Sequence, residues 1–229
     1  MTKEESCNVA NRERLLDAAE ILFAQRGFDG VTVRAITRKA QCNQAAVNYY
    51  FRSKKSLYLE VFRTRWIPRS RRIQNSFWNS LQTDPLSSPE LVIRSLVKAF
   101  LHAPISDEER IRQHQLIARE LAQPGEAFEL IITEAIEPFL NELATLLRRS
   151  LAQESTDHNV MLDALSILSQ VFYFALARNM VRRITAEEHD EAFTERLVDH
   201  ITNFSVNGLQ GVVRKKIDGN LRQNSFFSP

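Results

Sequence analysis

TVRAITRKAQCNQAAVNYYFRSKKSL, residues 32–57, reads as two short helices with a tight turn, closed by an aromatic and basic element. Thr32 is a suitable N-cap for a helix whose apolar positions Val33, Ile36 and Ala40 recur at helical spacing. Gln41, Cys42 and Asn43 make a break of the length that joins the two helices of a helix-turn-helix. Asn43 then caps a second helix in which Ala46, Val47 and Tyr50 can face inward. Gln44, Ala45, Asn48 and Tyr49 are left outside, a face of small and polar groups. Such a face suits the major groove of DNA, where Gln and Asn pair with adenine and Ala or a ring meets a thymine methyl. Arg34, Arg38, Lys39, Arg52, Lys54 and Lys55 surround it, as phosphate neutralisation requires. Of the adjacent rings, Tyr50 and Phe51 are expected in the small core, with Tyr49 alone free to touch DNA. Lys55, near the start of the following helix, is expected to meet a phosphate alongside exposed backbone N–H groups.

These residues resemble the TetR family of bacterial transcription regulators. The likeness runs from about Arg12 to Phe62 and includes AQRGFDGVTVRAI, residues 24–36, and NYYFRSKKSLY, residues 48–58. The second stretch is the specific one. A helix-turn-helix pattern alone matches many unrelated chains, whereas one followed at once by YYF-x-SK rarely does. Two positions depart from the family's pattern. Gln41 stands where Gly is usual, so a residue with a Cβ must take a left-handed or otherwise tight conformation. Ala35 replaces an acidic residue often found just after the first cap. Neither lies on the reading face. The expected DNA-contacting set is Thr32, Arg34, Asn43, Gln44, Ala45, Asn48, Tyr49 and Lys55.

A chain of 229 residues permits one large domain or two small ones with a real core. Only six glycines and seven prolines punctuate it, and apolar residues recur every three to four positions, which favours an all-α protein. No apolar run approaches the roughly 20 residues of a membrane span, and MTKEESCNVA lacks the apolar core of a signal peptide. A soluble, cytoplasmic protein without membrane contact is expected. Cys7 and Cys42 fall in a tail and a core position, so no structural disulfide is expected. Charge is unevenly shared: residues 1–72 carry 15 Lys/Arg against 7 Asp/Glu, and the remainder 15 against 21. A basic front on an acidic body points to an anionic partner at the N-terminal end, and its coincidence with the helix-turn-helix reads as a DNA footprint.

Punctuation divides the rest. Residues 1–10 read as a flexible tail, followed by a helix from Arg12 to Gln25 whose stripe is Leu15, Leu16, Ala19, Leu22 and Phe23, ended by Gly27. Ser53 caps a helix running toward Trp78, with a kink or break expected at Pro68. Ser88-Pro89-Glu90 opens a helix, and Ser106 with Glu109 forms a capping box for the next, through Leu121. Phe128–Leu151 reads as a helix interrupted by Pro138, and Asn159–Ile184 as another. Thr185 and Glu188 suggest a capping box for a last helix bearing Phe193, Leu197, Ile201 and Phe204, with a polar tail from Lys215. The domains expected are a helix-turn-helix domain over 11–57, a helical regulatory and dimerisation domain over 58–214, and flexible tails over 1–10 and 215–229.

LIARELAQPGEAFELI, residues 116–131, resembles the C-terminal domain of a CecR-like branch of the same family, through Arg119-Glu120, Pro124 and Ala127-Phe128. The resemblance implies an apolar effector cavity among the middle helices, for which Phe62, Trp66, Phe100, Arg119, Phe128 and Phe172 are candidates. Ordinary core packing explains each ring equally well. Arg119, in an apolar stretch, needs an anionic partner, either internal or on a ligand. The family also implies a homodimer through its two C-terminal helices, and FYF at 172–174, apolar on more than one side, fits that. EEHDE, residues 187–191, invites a metal reading at His189, but acids in a first helical turn answer the helix dipole. No phosphate loop, nucleophile elbow or metal-ligand spacing is present, so neither catalysis nor a cofactor is expected. The chain therefore reads as a one-component regulator, a repressor that leaves a palindromic double-stranded operator when a small, partly apolar effector binds. A DNA-binding protein controlled by a protein partner, or a helical enzyme or carrier, stays open.

Overall fold

A computed structural model describes residues 3–81, 88–151, 160–188 and 190–224, and every regular element among them is helical. The helices are α1 (Lys3–Arg26), α2 (Val33–Ala40), α3 (Ala45–Phe51), α4 (Lys54–Val61), α5 (Ile67–Leu81), α6 (Pro89–Leu101) and α7 (Asp107–Ala122). They continue as α8 (Phe128–Ile131), α9 (Glu137–Ser150), α10 (Val160–Leu176), α11 (Arg178–Thr185) and α12 (Glu191–Asn224). Ser53, Ser88 and Ser106 cap α4, α6 and α7, each accepting a backbone N–H three residues on. Ser106 and Glu109 close the expected capping box, and the backbone N–H of Ser106 is the main influence holding the Glu109 carboxyl below its usual range.

Pro68 and Pro138 are accommodated in the same way. A π-helical turn, Phe62–Trp66, joins α4 to α5, and a second, Ile132–Ile136, joins α8 to α9. In each, the residue just before proline bonds five residues back: Ile67 N–H to the Phe62 carbonyl, Glu137 N–H to that of Ile132. Proline cannot donate to the carbonyl four residues back, and its ring would crowd it. Widening the preceding turn lets the helix run on without a break.

Four expectations need correction. Residues 3–10 are helical, because KEESCNVA contains no breaker and Tyr50 Oη donates to Asn8 Oδ1 at 2.9 Å. The helix expected over 159–184 is two helices, bent by 78° between Leu176 and Arg178, and no glycine or proline marks the bend. Thr185 ends α11, Ala186 follows in the left-handed region (φ 58°), and Asp190 caps α12 by accepting the Phe193 N–H at 2.7 Å. The described helix α12 also reaches Asn224, past the expected tail start; residues 225–229, like His189, lie outside the described residues. No single described helix is long and apolar enough to cross a membrane.

The chain forms two compact units, residues 1–71 with 104–137, and residues 72–103 with 138–229. In the first, α1 is the central element, its stripe of Leu15, Leu16, Ala19, Leu22 and Phe23 fully enclosed. Phe23, Phe28, Tyr58 and Phe62 pack in edge and tilted contacts 4.8–5.1 Å apart. The same unit holds a buried ion cluster. Glu20 on α1, 3% exposed, pairs with Arg69 on α5, and Arg69 Nε reaches Glu109 Oε1 at 3.1 Å. Arg112 on α7 adds a second cation, 3.4 Å from Glu20 Oε2. The second unit has its own core, in which α6 (Val92, Ile93, Leu96, Val97) meets α10 (Ala164, Ile167, Val171) and α12 (Val198, Ile201). Arg94–Asp199, Lys98–Glu195 and His102–Glu195 pairs line the exposed edge of α6 on α12.

Candidate nucleic-acid interface

Helix α3 is held by two side chains, Val47 (0% exposed) and Phe51 (5%), one turn apart. That choice of inward residues turns Gln44, Ala45, Asn48 and Tyr49 to solvent, and Tyr49 is 73% exposed. Tyr50 does not enter the core. It is half-buried at the side of the helix, edge-on to Tyr49 at 4.8 Å, with its hydroxyl tied to Asn8. Asn43 Oδ1 accepts the Ala45 N–H at 3.0 Å, and Thr32 Oγ1 accepts the Ala35 N–H at 3.2 Å, so both amide and hydroxyl act locally as caps. Arg34 is exposed on α2.

Gln41 takes the left-handed conformation, φ 54° and ψ 41°. Its N–H meets the Arg38 carbonyl at 3.3 Å and the Cys42 N–H meets that of Thr37 at 2.9 Å, which closes the carbonyl end of α2 as a glycine normally does. Gln41→Gly is expected to stabilise the chain by about 1 kcal/mol, since a left-handed residue with a Cβ costs roughly 1–2. Urea unfolding of the variant measures it, and an unchanged or lower midpoint would count against strain at this turn.

The basic residues divide in two. Lys54 is structural: its ammonium donates to the Phe28 and Val31 carbonyls at 3.0 and 3.1 Å and sits 4.0 Å over the Phe28 ring. It ties the loop between α1 and α2 to α4. Lys55 is exposed and pairs with Glu126 at 2.5 Å. Sequence reading placed both among phosphate-binding cations, and nothing in local spacing separates them.

Beside α3 the first helix adds residues that sequence reading missed. Asn8, Asn11 and Arg14 of α1 face Cys42, Ala45 and Tyr49 across an open groove of ≈ 550 Å³. Arg14 Nη2 donates to Asn11 Oδ1 at 2.6 Å and approaches Cys42 Sγ at 3.6 Å. The available signal was the asparagine and arginine spacing of N-x-x-N-x-x-R at 8–14, one helical face, of which only Asn8 falls in the expected tail.

The effector candidates are scattered. Phe62 is 0% exposed and Trp66 5%, with the indole N–H bonded to the Gln113 carbonyl at 3.0 Å. Both are core residues of the first unit. Phe128 is half-buried in the first unit, Phe100 and Phe172 half-buried in the second. Among the described residues Arg119 has no acidic partner, and its site is not a buried one. It is exposed, and it donates to the Ala24 and Gln25 carbonyls at 3.2 and 2.8 Å. Those carbonyls end α1, where the helix dipole supplies the negative charge the arginine needs. The neighbouring Glu120, 4% exposed, accepts the Tyr58 hydroxyl at 2.6 Å. Burial, then this carboxylate, push the Tyr58 hydroxyl far above the ordinary phenol range, keeping it a donor.

Residues 15–61 match the bacterial regulatory proteins of the tetR family, and residues 89–209 match the C-terminal domain of the HTH-type transcriptional dual regulator CecR. The chain is a TetR-family transcriptional regulator. It belongs to the branch with a CecR-type C-terminal domain. CecR of Shigella flexneri is 24% identical over 207 residues, covering 83% of this chain and 89% of that one. The HTH-type regulator YdgC of Bacillus subtilis strain 168 is 35% identical over 98 residues, 42% of this chain and half of that one. A TetR-like regulator from Rhodococcus sp. RHA1 shares the fold, with a TM-score of 0.62 at 20% identity over 88% of this chain and 96% of that one. TetR-family regulators bind DNA, act as dimers and are not enzymes. Among the described residues no group of His, Cys, Asp and Glu could hold a metal ion.

Proposed function

We propose that this TetR-family regulator binds a near-palindromic double-stranded operator in the cytoplasm and represses from it until a small, partly apolar effector is bound. The observation that carries the DNA reading is the face of Gln44, Ala45, Asn48 and Tyr49, exposed on a helix fixed by Val47 and Phe51. Thr32, Arg34, Asn43 and Lys55 surround it and supply backbone contacts. The dimer that presents two such faces is assigned to α10 and α12. Their exposed apolar side chains, Leu162, Leu165 and Tyr173 on α10 and Phe204 on α12, suit a second copy of the chain. With Phe62 and Trp66 closed in the core and Arg119 committed to α1, the half-buried Phe128 of the first unit and Phe100 and Phe172 of the second are the candidates left for the effector reading. Effector binding would favour a head spacing that misfits successive major grooves about 34–36 Å apart. The CecR relative is described as a dual regulator, so activation at some promoters is a second reading.

Gln44→Ala and Asn48→Ala are each expected to weaken binding to a duplex enriched by the protein from random DNA by about 1–3 kcal/mol if it makes a bidentate base contact. Binding to unselected duplex should change little. Equal losses on both duplexes, or none on either, would remove these residues from the base-reading set.

A further inference from the structure

Lys55 is the residue to which the proposed function gives a DNA phosphate, and its Nζ stands 2.5 Å from Glu126 Oε2. Both side chains are partly solvated, 58% and 35% exposed, so the pair can open without stranding a buried charge. The acid is delivered there by contacts of its own segment. Glu120, buried near the end of α7, accepts the hydroxyl of Tyr58, which lies one helical turn along α4 from Lys55. The other carboxylate oxygen of Glu120 accepts the Gly125 N–H at 3.0 Å, which folds the turn after α7 back toward α4. The fit is close: a Cβ on Gly125 would meet Glu120 Oε1 at 3.2 Å. Tyr58 and Glu120 are thus the anchor, and Glu126 is what the anchor positions.

We infer that Glu126 is an intramolecular substitute for phosphate, holding Lys55 while the protein is free and surrendering it when DNA binds. A carboxylate and a phosphate cannot both have the same ammonium at contact distance, so the pair opposes binding to DNA of any sequence. Lys55 lies in the stretch that matches the tetR family, whereas Glu126 lies in the stretch that matches the CecR C-terminal domain. The position of the 120–126 turn on α4 therefore sets DNA affinity, and a shift of α7 that withdraws the turn raises it. The inference rests on the reading of Lys55 as a phosphate contact.

Because phosphate contacts are indifferent to sequence, a labelled random-sequence duplex serves as the probe, titrated with the full-length chain at several salt concentrations. Glu129→Gln, which removes another exposed acid close by on α8, is the control for general repulsion from DNA. Lys55→Gln should weaken binding and lower the salt slope by about one unit. Glu126→Gln should tighten binding about two- to fivefold beyond the control, the range of an exposed ion pair. In the Lys55→Gln background the gain from Glu126→Gln should fall to that of Glu129→Gln. A gain no larger than the control, or one that persists undiminished without Lys55, overturns the inference. If Lys55→Gln binds like the parent chain, the phosphate reading and the inference fall together. If Lys55→Gln weakens binding but Glu126→Gln gives no gain, only the inference falls.

Discussion

Replacing Arg69 by Met is expected to lower the free energy of unfolding by about 3–5 kcal/mol, the cost of removing one partner from a buried ion pair. Glu20 is 3% exposed and is held by Arg69 from α5 and by Arg112 from α7. With Arg69 gone, Arg112, 22% exposed and 3.4 Å away, is the remaining cation on that carboxylate. Glu109 loses its own bond to Arg69 at the same time. Replacing Glu20 by Met as well removes the undercompensated buried charge, and the double variant should recover much of the loss, because an apolar pair of similar volume packs at least as well in such a site. Urea unfolding of both single variants and the double measures the coupling. Near-additive losses would mean that the cluster is hydrated and does not join α1, α5 and α7 electrostatically.

Phe204→Glu is expected to abolish the dimer while leaving the protomer folded. Phe204 is 64% exposed within the protomer, beside the His200 ring at 6.3 Å, so the change creates no internal cavity or clash. Across a two-fold seam it would place like charges close together, at a cost of several kcal/mol, and each 1.4 kcal/mol is about tenfold in dissociation. Sedimentation should show a monomer at about micromolar concentration where the parent chain is a dimer, with helical circular dichroism retained. Operator affinity should collapse with it, because one head alone reads half a site. A variant that still sediments as the parent dimer would place the seam elsewhere.

The sequence signal for Phe204 was ambiguous, and the reason is physical. Residues 193, 197, 201 and 204 share one helical spacing, yet Phe193, Leu197 and Ile201 are enclosed and Phe204 is not. Periodicity reports which positions are apolar but not which body covers them. The helix-turn-helix was legible because its determinants are local: cap, break, small polar face and aromatic exit all lie within residues 32–57. So were the Ser88 and Ser106 caps. The roles of Arg119 and Lys54 were not, since each is fixed by main-chain carbonyls distant in sequence, of Ala24 and Gln25 for one and Phe28 and Val31 for the other. A side chain that seeks a carbonyl leaves no acidic residue to mark its partner. The bend after Leu176 likewise carries no glycine or proline, so its cause is not written in residue type.

The π-turn at Phe62–Trp66 acts as a phase shift in the code by which the helix addresses its neighbours. Buried residues fall in steps at Leu57–Tyr58, Val61–Phe62, Trp66–Ile67 and Arg69–Ser70, and the step across the turn is five rather than three or four. One extra residue at 3.6 per turn rotates everything downstream by about 100°. Arg69 therefore comes round to face Glu20 where an unbroken α-register would have aimed a different side chain at α1. The same step of five separates VF from WI in the bare sequence, which makes it a mark by which such a shift can be found ahead of a proline. A deletion of one residue in FRTRW would let the turn close as an ordinary α-turn and leave Arg69 and Ser70 facing as they do, whereas straightening the turn with all five residues kept would readdress them.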